Sequence, residues 1–93
     1  MNLAERLRAT RELGELPAYE LSELAGFSGG YVAHIERGRT KSPGFDAVGK
    51  IARVLGTTGD YLASGTEPAP TKEEVMAAVA VARAAAKAAK GAA

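Results

Sequence analysis

The stretch Tyr19 to Gly38, YELSELAGFSGGYVAHIERG, reads as two short helices joined by a tight turn. Leu21 and Leu24, three apart, put an apolar edge on the first. Gly26 offers the residue without a Cβ that a sharp turn between helices wants, because positive φ carries no steric penalty there. Phe27 plugs the corner, and Ser28 stands where an N-cap is expected, its hydroxyl able to accept an N–H from the next turn. Val32 and Ile35 give the second helix its own apolar edge, and Gly38 stops it.

A helix, a glycine-containing turn and a second helix make a helix-turn-helix, whose second helix can lie in the major groove of DNA. Around it stand Arg6-Leu7-Arg8, Arg11, Glu20-Leu21 and Gly26-Phe27-Ser28, then Tyr31-Val32 and the unit Ile35-Glu36-Arg37-Gly38-Arg39. Pro43, Ile51-Ala52, Leu55-Gly56 and Asp60-Tyr61-Leu62 follow. Together these resemble the Xre/Cro-like helix-turn-helix family, which includes the lambdoid phage repressors. The resemblance runs from Leu3 to Gly65, about two thirds of the chain. It implies an all-α fold: a five-helix, lambda-repressor-like domain over residues 1–65, with an appended alanine-rich helix.

Composition narrows the possibilities. The 93 residues suit one small helical domain and an appendage. There is no cysteine and only one histidine, so neither a disulfide framework nor a zinc site is expected. No apolar run approaches a membrane span and no signal-peptide core is seen, so a cytoplasmic, nucleoid-associated protein is the expectation. No nucleophile–base pair stands out, and catalysis and cofactors are not expected. The net charge is only +1, and residues 1–65 carry eight basic and eight acidic side chains. A domain so balanced binds DNA only if its charges are segregated, and Arg37, Arg39 and Lys41 do cluster behind the second helix.

Local signals place the remaining elements. Asn2 and Glu5 form a variant capping box ahead of a helix with Leu3, Leu7, Thr10 and Leu13 inward, ending at Gly14. Arg6 and Arg8 read as a solvated face with local acidic partners. Arg11 is assigned to structure, because the resemblance implies a pair with Glu36. Pro17 suits a helix start. Phe45, Val48, Ile51, Ala52 and Leu55 fall at helical spacing, with Phe45 and Tyr61 expected in the core, and Thr58 caps a fifth helix. Residues 66–71, with two prolines, read as a linker, and Thr71 with Glu74 opens an alanine-rich helix over 72–93. The two-proline linker is expected to isolate this segment from the core, and its stripe of Val75, Met76, Val79, Ala82 and Ala86 is too thin to fold alone. A dimerisation arm and a frayed tail fit that segment equally, and nucleic-acid contact fits it less well.

The resemblance also implies which residues meet DNA. The early residues and outer face of the second helix, Gly29, Gly30, Ala33 and His34, would face base edges. Pro17 and Ala18 stand where a polar residue commonly touches DNA, and Gly44 stands where some phage repressors place an arginine. Glycine and alanine provide no donor or acceptor for base readout, so His34 is the one hydrogen-bonding reader among these outward positions. Phosphate contacts are assigned to Arg37, Arg39 and Lys41, with hydroxyls from Ser28, Tyr31 and Thr40. Arg37 has Asp46 or Glu36 as rival partners, and Tyr31 could instead pack against Phe45 or the first helix. The expected function is a DNA-binding regulator of repressor or antitoxin type, a homodimer on an inverted repeat of double-stranded DNA. The alternative is a module that keeps the scaffold but binds a protein partner.

Overall fold

The computed structural model describes residues 1–40, 42–66 and 68–91, and every regular element in them is a helix. These are α1 (Leu3–Leu13), α2 (Ala18–Leu24), α3 (Tyr31–Glu36), α4 (Phe45–Val54), α5 (Gly59–Ser64) and α6 (Lys72–Gly91). One core unites them, built on Leu7, Leu16, Leu21, Val32, Ile35, Ile51, Leu55 and Leu62.

Three of the caps form locally as the sequence predicts. Asn2 and Glu5 exchange hydrogen bonds of 2.9 and 3.0 Å at the start of α1. Thr58 Oγ1 accepts from the Tyr61 amide at the start of α5. Thr71 and Glu74 close a reciprocal box ahead of α6. The expected Arg11–Glu36 pair is also present. Arg11 Nε and Nη2 donate to the two Glu36 carboxylate oxygens at 2.8 and 2.9 Å, and Nη1 donates to the Leu16 carbonyl. With side chains 15% and 10% exposed, the pair locks α1 to the end of α3. Donating these hydrogen bonds to the Glu36 carboxylate raises the Arg11 pKa above its ordinary value.

Three expectations about packing do not hold. Arg6 is not a solvated side chain: it is buried, and its guanidinium donates to the carbonyls of Leu62, Ala63 and Met1. Helix C-termini leave carbonyls without intrahelical partners, and a planar cation with several donors suits them. Phe45 is 80% exposed, because the buried stripe of α4 begins one turn later at Val48. Tyr61, by contrast, does pack against the core.

The third correction concerns α6, which is not isolated from the core. Val75 and Val79 are buried completely, or nearly so, and α6 lies against α1, α2 and α4. A stripe too thin to support a free helix is enough for a helix seated on a preformed groove. Gly14 makes that groove. The left-handed residue ending α1 is Glu15, with φ of 52°, whereas Gly14 sits at φ of −88°, which any residue adopts. A Cβ on Gly14 would stand 2.8 Å from Val75 Cγ1 and 3.3 Å from Val79 Cγ2. Glycine is needed there for close approach, not for backbone freedom.

Candidate nucleic-acid interface

The motif helices α2 and α3 are held together by a buried hydroxyl. Ser22 Oγ donates to the Ala18 carbonyl at 2.9 Å and accepts from the Val32 amide at 3.0 Å. It thereby satisfies one of the free N–H groups in the first turn of α3 from across the turn. Sequence reading passed over Ser22, although it shares a helical face with Ala18 and Ala25, at spacings of four and three.

Ser28 is therefore not the cap. The N-cap position of α3 belongs to Gly30, without a side-chain cap, and the Tyr31 amide donates to the Ser28 carbonyl instead. Gly29 and Gly30 form the turn before α3, whose first helical residue is Tyr31. A Cβ on Gly29 would lie 2.1 Å from Tyr19 Cε2, so the tyrosine ring fills the space a side chain would need. A Cβ on Gly30 would meet only His34 Nε2, at 3.8 Å.

Within α3, Val32 and Ile35 point into the core, Ala33 is half-buried and His34 is exposed. Tyr31 is half-buried and stacks on Phe27, with ring centroids 4.5 Å apart. Its packing partner is thus Phe27, across the turn. Lys50 Nζ from α4 lies 5.9 Å from the centre of the Phe27 ring, adding a cation beside the turn. That placement depends on how α4 crosses the motif, and no pattern in the sequence signals it.

Beyond α3 the amides of Arg39 and Thr40 both donate to the His34 carbonyl, at 2.9 and 3.4 Å. This wraps the following loop over the helix end and holds Arg37 and Arg39 on the surface, with Thr40 half-buried. Gly44 is exposed and serves as the N-cap residue of α4, with open space where its Cβ would be. The assignment to Lys41 lies outside the described residues.

Ion pairing sorts the charges. Among the described residues, Glu12 pairs with Arg8, Glu36 with Arg11, Glu15 with Lys72 and Glu20 with Arg83. Arg37 and Arg39 take part in none of these pairs. Two of the paired acids are answered from α6. Arg83 forks onto Glu20 at 2.7 and 2.9 Å, and this hydrogen bonding holds the Glu20 carboxyl below the ordinary glutamate range. The cations at the end of α3 can thus meet an anion, while acids on α1 and α2 are partly neutralised from within the molecule. Among the described residues no helix is long and apolar enough to cross a membrane.

Comparison with known proteins agrees with this geometry. A family model described as a helix-turn-helix domain matches residues 2–65. No curated protein and no solved structure matches the chain.

Proposed function

The chain belongs to this helix-turn-helix domain family, and we propose that it is a non-catalytic DNA-binding transcriptional regulator of the repressor or antitoxin type. It acts as a cytoplasmic, nucleoid-associated homodimer on an inverted repeat. Its two recognition helices are spaced by about one turn of duplex, roughly 34 Å. The observation that carries this reading is the exposed pair Arg37 and Arg39 at the end of α3, outside every ion pair among the described residues. Phosphate contacts position the protein, and His34 is the reader of bases among the outward residues of α3. Sequence preference per half-site is correspondingly weak and leans on DNA shape.

A second reading, a protein-binding module on the same scaffold, is favoured by the balance of eight basic and eight acidic residues within 1–65. A salt titration of duplex binding separates the two. Under the DNA reading, Arg39→Ala weakens cognate and scrambled duplexes equally and lowers the salt slope by about one unit, one counterion being lost. His34→Ala instead narrows the gap between cognate and scrambled sites, since the imidazole can donate and accept and alanine can do neither. Absence of salt-sensitive binding to any duplex at low ionic strength rejects the DNA reading and leaves the protein-binding one.

A further inference from the structure

Tyr19 lies in the first turn of α2, 63% exposed, and its ring packs over Gly29. A Cβ on Gly29 would stand 2.1 Å from its Cε2 and 2.5 Å from its Cδ2 and Cζ. The ring therefore covers Gly29 and occupies the volume that a side chain at the mouth of α3 would otherwise take. Within the described residues the Tyr19 hydroxyl has no hydrogen-bond partner. Its phenol is thus held at the junction of the two motif helices, with its polar end in solvent.

On the DNA-binding reading, on which this inference rests, we infer that Tyr19 is a DNA-backbone contact whose hydroxyl donates a hydrogen bond to a phosphate oxygen. In the docking geometry of the motif the first helix crosses the sugar–phosphate backbone while the second enters the major groove. Tyr19 is on the first helix, and tyrosine hydroxyls are among the side-chain groups that hydrogen-bond phosphate. A tyrosine has only two side-chain torsions to fix, so little freedom is lost on binding. Gly29 contributes by its missing side chain: it lets the neighbouring ring take the contact position.

The test uses the full chain and a labelled random-sequence duplex at low salt, since a phosphate contact does not depend on sequence. Tyr19→Phe is expected to weaken binding about ten- to a hundredfold, the worth of one hydrogen bond to a charged acceptor. The salt slope stays unchanged because no charge is removed. The melting temperature also stays unchanged, because the hydroxyl is in solvent. Gly29→Ala pushes the ring off its seat and loses at least as much affinity. Tyr19→Phe added to Gly29→Ala costs nothing further, because the hydroxyl is already displaced. If wild type binds and Tyr19→Phe binds equally well, the inference is overturned while the DNA reading stands. Fully additive losses overturn the role of the seat. If wild type binds no duplex at all, the DNA reading fails and the inference falls with it.

Discussion

Gly14→Ala tests whether α6 is seated on α1. The backbone at Gly14, φ −88°, accepts alanine, so the change would ordinarily stabilise by about 0.4–1 kcal/mol through the unfolded chain. The new methyl, however, would sit 2.8 Å from Val75 Cγ1 and 3.3 Å from Val79 Cγ2, both in a closed core. Overpacking of this kind costs about 1–3 kcal/mol, so the expected sign is a net loss. Val75→Ala removes two buried methyl groups, worth about 1.6 kcal/mol in transfer alone at about 0.8 kcal/mol each, with a cavity term added. In the double variant the alanine methyl at position 14 grows into the space vacated by Val75. Only about one methyl is then missing from the core, and the expected loss is about 1 kcal/mol. The double variant should therefore be more stable than the sum of the singles predicts by more than 1 kcal/mol, well outside ordinary additivity error of about 0.5 kcal/mol. Urea denaturation followed by far-UV circular dichroism measures all four proteins, and each kcal/mol also moves the melting point by about 4–8 °C. Strictly additive losses, or stabilisation by Gly14→Ala alone, would mean that α6 does not rest on Gly14.

Two further outcomes follow from the ion pairs. Arg11→Ala strands a mostly buried Glu36 carboxylate and should cost about 3 kcal/mol, with strong coupling to Glu36→Ala in a double-mutant cycle; additive losses would show that the pair contributes no interaction energy. The exposed Arg83–Glu20 pair is weaker, about 0.5 kcal/mol at neutral pH after solvent screening. Because Glu20 has a lowered pKa when folded, this contribution is present above the unfolded glutamate pKa and is lost as pH falls through the folded value. The stability gap between wild type and Arg83→Ala, followed by urea titration from pH 7 to about pH 3, should close at the acid end. A gap that persists there would assign the effect to packing of the arginine stem.

What the sequence determined by itself is what a chain decides within one or two turns. Asn2 with Glu5, Thr58 with the Tyr61 amide, and Thr71 with Glu74 pair across three residues, so their donors and acceptors meet whenever the local helix forms. The apolar spacing through Leu21, Val32, Ile35, Ile51 and Leu55 likewise selects a buried face before any helix meets another. Arg11 with Glu36 reaches across the sequence, and was legible only through the family resemblance.

The tertiary structure decided everything that depends on how helices cross. Arg6 reads as a surface cation until the end of α5 is brought to it, fifty-six and fifty-seven residues on, and its guanidinium becomes the partner of that helix's last carbonyls. Phe45 has the right spacing for the core but lies beyond the reach of the helices that would cover it. Gly14 looks like a helix stop and proves to be a seat for Val75, and Gly29 looks like a deleted reader and proves to be a seat for Tyr19. In each case the deciding contact joins residues on different elements. The energy of such a contact exists only when packing brings the partners within van der Waals or hydrogen-bond range, and helical periodicity carries no record of it.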